Sequence, residues 1–206
     1  MKISTRSITL AATLAALCAV TGLFPFVFFL PVMVAATTLT VGMTAFVGLA
    51  FGCISFAYCF IAPTPSFAAL GFMQAPYIAI IPRILAALGA FGAYKLIQRL
   101  CKPKRRVGQV AAVSVSAAIG SLLNTGIVVT MFVLILPNLS LGGVTMIVAA
   151  PEMLISGAIE CACMAVIVPP VSVTLNRVVL RRKDKLLAAS PQTASAENDQ
   201  RQNGDI

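Results

Sequence analysis

Residues 7–61 read SITLAATLAALCAVTGLFPFVFFLPVMVAATTLTVGMTAFVGLAFGCISFAYCFI, and none of them is an acid, a lysine, an arginine or a histidine. A soluble domain carries about a quarter charged residues. Across all 206 residues here the charged share is 10%, the hydrophobic share is 59% and mean hydropathy is +0.98. Moving outward from the quoted stretch, the next charge is Arg83, and none follows until Lys95; from Val107 to Asn176 only Glu152 and Glu160 are charged. A membrane-crossing helix needs about 20 apolar residues, because ~30 Å of hydrocarbon is covered at ~1.5 Å per residue. The pattern predicts an all-α polytopic membrane protein, a bundle of about six transmembrane helices.

The spans are expected at roughly 8–24, 27–41, 43–61, 78–98, 108–136 and 147–176. Phe24-Pro25 and Leu30-Pro31 break the first pair, Ala62-Pro63-Thr64-Pro65-Ser66 ends the third, and Pro137-Asn138 with Leu141-Gly142-Gly143 ends the fifth. Proline removes a backbone donor and disfavours helix in the residue before it. The break near Thr40-Val41-Gly42 is the least marked, so the second and third spans can be tilted, bent or partly fused. Residues 1–7 form a short N-terminal flank and 8–185 the membrane domain with its basic border. Residues 186–206 form a polar tail too poor in apolar side chains to offset its ordering entropy.

Basic residues gather in three places: Lys2 and Arg6, then Arg99 to Arg106, then Arg177 to Lys185. Such clusters stay on the cytoplasmic side of a membrane. Four expected spans separate the first from the second and two separate the second from the third, so one orientation satisfies all three. Both termini are then cytoplasmic in a multi-pass protein of the cell membrane. The formal net charge of +9 is directed at anionic membrane lipid rather than at nucleic acid. The start of the chain resembles a signal peptide, but Leu17 stands before Cys18 where lipoprotein cleavage needs a small residue, and no hydrophilic domain follows. It reads as an uncleaved first helix.

No catalytic constellation is present, and an enzyme is not expected. With no histidine, Ser-His and Cys-His nucleophiles are excluded. There is no G-x-x-x-x-G-K-[ST] phosphate loop, and the three aspartates (Asp184, Asp199 and Asp205) all lie in the C-terminal flank. The six cysteines lack metal-ligand spacing and read as small hydrophobes, so neither a metal nor a cofactor is expected.

Polar groups inside the spans are more informative. An ionisable residue at mid-bilayer costs at least about 2.5–3.5 kcal/mol and generally faces a cavity or a partner. The expected topology puts Arg83 about 8 Å inside the outer end of the fourth span and Glu152 at similar depth in the last. Glu160 lies two turns deeper with Ser156 between, and Asn124 falls in the middle to outer half of the fifth span. Arg83, Asn124, Glu152 and Ser156 can therefore line one outward pocket, with Tyr58, Gln74 and Tyr77 above it as a lid. Alternatively, Arg83 and Glu152 pair with each other and only stabilise the bundle. Glu160 is either a packing acid or a proton-linked site.

The first helix carries two alanine stripes, Ala11, Ala15, Ala19 and Ala12, Ala16, at the spacing that lets another helix approach closely in lipid. The pairs Gly48/Gly52, Ala86/Ala90 and Gly89/Ala93 read as internal packing.

With these residues in view, the chain resembles the substrate-binding S component of an energy-coupling factor (ECF) vitamin transporter, over about residues 5–185. Ile81-Pro82-Arg83-Ile84-Leu85-Ala86-Ala87-Leu88-Gly89-Ala90 is similar to the P-R-I/L-L-x-G/A-L start of the family's fourth helix, and Leu123-Asn124-Thr125 to its fifth. The alanine-rich Thr9-Leu10-Ala11-Ala12-Thr13-Leu14-Ala15-Ala16-Leu17 is like its first. The resemblance implies a bacterial capture subunit for a small water-soluble vitamin or related metabolite. It also implies a transmembrane coupling subunit and two ATPase subunits as partners, docked on the alanine stripe. If Arg83 faces the ligand, an anion such as pantothenate or a folate is favoured over thiamin, and the two glutamates pull the other way. The competing readings are a small ion-coupled secondary transporter using Glu160 or Glu152, and a membrane scaffold subunit without ligand.

Overall fold

The computed structural model describes residues 5–21, 28–61, 67–101, 106–141 and 144–188. The expected break at Phe24-Pro25, the run 62–66, the basic loop 102–105, Gly142-Gly143 and the tail from 189 onward lie outside the described residues. Among the described residues there are seven helices: α1 (Thr5–Thr21), α2 (Leu30–Thr38), α3 (Val41–Ile61), α4 (Phe67–Gln74), α5 (Pro76–Cys101), α6 (Arg106–Ile135) and α7 (Met146–Ala188). Between α6 and α7 a small antiparallel pair, β1 (Ser140–Leu141) and β2 (Val144–Thr145), sets Ser140 opposite Thr145. The protein is an all-α polytopic membrane protein. Among the described residues, four helical stretches are long and apolar enough to cross a membrane: Val41–Ile61, Pro76–Cys101, Val107–Ile135 and Met146–Asn176.

The helices alternate in direction. The Thr21 hydroxyl reaches the Phe28 carbonyl across the first turn. Phe29 stacks beside Phe51 while the Thr44 hydroxyl donates to the Ala35 carbonyl, so α2 runs antiparallel to α3. Gly52 lies against Ala79 and Ile80, and Gly48 against Arg83, Ile84 and Ala87, which makes α5 antiparallel to α3. Gly89 meets Leu123 and Gly120 meets Ala90, so α6 reverses again. Gly157 on Thr125 and the Cys161 thiol on the Ala118 carbonyl set α7 antiparallel to α6. Six segments thus run in alternating senses, and Thr5 and Ser172 come to the same end of the bundle.

The second expected span differs most from the structure. In place of a helix over 27–41 there is a nine-residue α2, about 14 Å long, with eight of its residues buried. It packs against α1, α3, α5 and α6, so it is apolar all round because protein surrounds it on every side. Pro31 sits in its first turn, where a missing N–H costs nothing. Leu39 ends it in extended backbone while still donating to the Ala35 carbonyl, and α3 starts afresh at Val41. The stretch expected as a loop over 62–77 is also half helical, because the apolar α4 buries Phe72 against Phe132. Helix α7 continues to Ala188, three residues into the expected tail. The unit from Val173 onward is separate from the bundle.

Helices α3 and α5 approach each other backbone to backbone. A Cβ built on Gly52 falls 2.8 Å from the Ile80 Cα, and one on Gly48 falls 3.0 Å from the Ala87 Cβ, as expected for close-packed small residues. Gly52→Val should cost about 1–3 kcal/mol by overpacking, read as a lower melting temperature in detergent. Gly42→Ala, where nothing lies within 4 Å, should leave that temperature unchanged or raise it.

Candidate functional site

Within α5, Pro82 has no N–H, so the carbonyl of Ile78 lacks its usual helical donor. The Arg83 side chain takes that place: its Nη1 donates to the Ile78 oxygen at 3.2 Å. The guanidinium carbon lies 4.5 Å from the Phe72 ring centroid and 5.9 Å from that of Phe51. Arginine is attracted to aromatic faces, by about 2 kcal/mol or more when desolvated. Phe72 is in turn stacked on Phe132 at 5.6 Å. Arg83 is only 7% exposed, yet its Nε has no hydrogen-bond partner.

Beside Arg83 is a cavity of about 190 Å³. Phe72 and Arg83 form one wall; Asn124, Thr125, Val128 and Val129 of α6 form the second; and Met153, Ser156, Gly157 and Glu160 of α7 form the third. The Asn124 Oδ1 is buried without a partner. Gly157 is required at its position, since a Cβ there would stand 2.4 Å from the Thr125 Cγ2. The cavity lies toward the end of the bundle that carries α4 and the β1–β2 pair. Two further buried hydroxyls without partners, Ser55 and Ser121, do not line it.

The structure brings Arg83, Asn124 and Ser156 together as the sequence suggests, and it replaces Glu152 by Glu160. Eight helical residues advance the chain about 80° past two full turns, which turns Glu152 to the exposed face when Glu160 faces the cavity. The expected Arg83–Glu152 pair is therefore absent. Gln74 and Tyr77 are exposed and outside the cavity; Gln74 instead borders a surface cleft with Pro137 and Asn138. Tyr58 donates to the Ala19 carbonyl, tying α3 to α1. Phe72 and Gly157 were not singled out from sequence, and Thr125 entered only within Leu123-Asn124-Thr125. The i, i+3 spacing from Gly157 to Glu160 carried a signal for Gly157, whereas Phe72 had none.

On α1 the two alanine stripes separate. Ala11 is buried with Leu14 and Cys18, whereas Ala12, Ala16 and Ala19 are exposed and Ala15 is intermediate. Positions four apart drift by about 40° around a helix, so the stripe 11-15-19 crosses from the inner to the outer face. Ala11 is therefore unavailable for docking. Among the described residues there is no cluster of three potential metal ligands. Compared with protein-family models, curated proteins and solved structures, the chain matches none.

A buried acceptor without a partner costs about 1–3 kcal/mol. Asn124→Leu should accordingly raise the melting temperature of the ligand-free protein in detergent. A lowered value would show that the amide is a structural bond.

Proposed function

We propose that the chain is the capture subunit, the S component, of an ATP-driven ECF importer for a small water-soluble vitamin or related metabolite. The observation that supports this most is the buried Arg83 beside a cavity, with its Nε unpaired. An arginine retained purely for packing would be expected to have its donors matched within the bundle. A cavity of about 190 Å³ is below the usual ~300–1,000 Å³ of ligand sites. That size excludes a folate, whose pteridine, benzoate and glutamate parts need more room, and makes pantothenate the upper limit.

In this reading the end of the bundle at Thr5, with Arg6, Arg99 and Arg106, is cytoplasmic, and the cavity opens toward the outside. The exposed Ala12, Ala16 and Ala19 form the face for the coupling subunit, which works with two ATPase subunits, and the chain catalyses no reaction itself. Glu160 in the cavity wall favours a second reading, an ion-coupled secondary transporter, over one based on the exposed Glu152. In that case uptake collapses with a proton uncoupler and needs no ATPase partner.

The purified chain, titrated calorimetrically in detergent with a panel of B-type vitamins and small related metabolites, is expected to bind one of them one-to-one without ATP or an ion gradient. Failure of the whole panel overturns the vitamin-capture reading. For docking, Ala12→Trp and Ala16→Trp should abolish uptake in cells carrying the ATPase partners while leaving binding by the isolated chain intact. Normal uptake by both variants would refute the docking face.

A further inference from the structure

The cavity holds two opposite charges that do not close on each other. Arg83 and Glu160 both line it, yet no ion pair within 4 Å joins them among the described residues. Attraction between such charges at 4 Å reaches about 4 kcal/mol near a protein surface, so a free guanidinium would move to the carboxylate. Arg83 is not free: its Nη1 is on the Ile78 carbonyl, and its plane is held against Phe72 and beside Phe51. The site therefore presents a fixed cation and an anion with space between them. The Arg83 Nε and the Asn124 Oδ1, also without partners, are buried out of reach of that space.

A simple anion would satisfy Arg83 and bring a like charge toward Glu160. A simple cation would do the reverse. From this, and resting on the capture reading above, we infer that the ligand is a small zwitterion of the amino-carboxylic acid class. Its carboxylate faces the Arg83 guanidinium, and its ammonium donates to the Glu160 carboxylate. Both charges are matched by one molecule. The 190 Å³ volume limits the ligand to a short chain.

The test uses the full chain purified in detergent and titrated with β-alanine, 4-aminobutyrate and 5-aminopentanoate. Butyrate and butylamine serve as matched single-charge controls, and pantothenate as a larger monoanion. At least one zwitterion should bind at least about tenfold more tightly than both controls, the smallest effect expected for one charge-assisted hydrogen bond. Glu160→Gln should lose that preference by a similar factor while keeping or raising butyrate affinity, and Arg83→Gln should weaken both ligands. Butyrate or pantothenate binding as tightly as every zwitterion would overturn the inference and leave the capture reading standing. Binding of no zwitterion also overturns it, and the vitamin panel then decides separately whether the chain captures a solute. The melting temperature and size-exclusion profile of each variant separate a lost contact from a lost fold.

Discussion

The bond from Arg83 to the Ile78 carbonyl fixes the position of everything around the cavity. In lipid a backbone carbonyl without a donor costs several kcal/mol, and Pro82 creates one inside a helix that must cross the membrane. The adjacent arginine supplies the missing donor from its own side chain. That solution brings a guanidinium into an apolar bundle, and the aromatic rings of Phe72 and Phe51 then cover it. Phe51 comes from α3, held at short range by Gly48 and Gly52, and Phe72 comes from α4, which exists as a helix because Phe132 receives it. Proline, arginine and the three phenylalanines Phe51, Phe72 and Phe132 thus form one unit that ties α3, α4, α5 and α6 together.

Helix α2 illustrates the same constraint from the opposite side. Nine residues cannot span a bilayer as helix, and irregular backbone at membrane depth is tolerated only where protein encloses it. Here α1, α3, α5 and α6 enclose it. Hydroxyls serve the carbonyls near its end: Thr37 donates to Val34, Thr38 to Val34 and Thr44 to Ala35. The Thr37 hydroxyl also accepts from that of Ser172 at 2.9 Å, which fixes α2 to the far part of the α7 seam. A helix that would be marginal alone is held by its surroundings.

Much of this was legible in the sequence because lipid leaves few options for a charge-poor chain. The long apolar runs give the α3, α5, α6 and α7 spans almost to the residue, and the small-residue pairs Gly48/Gly52 and Ala86/Ala90 give their contact faces. Composition does not separate a helix buried in protein from one facing lipid, since both are apolar; that is why α2 reads as a full span. Depth along a helix was also more legible than rotation about it. Glu152 and Glu160 differ by about 80°, and Ala11 and Ala19 by a similar angle. In each pair one residue faces inward and the other outward. Phe72 reached Arg83 through a turn whose geometry no local pattern encodes.

The cavity lies where packing is least continuous. Between α3 and α5, glycines bring backbones into contact and leave no room. Helix α7 meets the bundle along a narrow seam of Gly157, Cys161, Met164, Val168 and Ser172, spaced four and three residues apart, with its remaining surface largely exposed. Such spacing keeps one line of a helix on its partner, and at the Met153–Gly157 end that line opens around Asn124 and Arg83. Only Gly157 permits Thr125 to approach there, so the same residue sets both the closeness of α6 to α7 and the size of the space above it. Rigid contacts between α3 and α5 hold the arginine in place, and the lighter contact along α7 supplies the opposing carboxylate. The position of the positive charge is therefore set by the core, and that of the negative charge by the helix with the fewest ties to it.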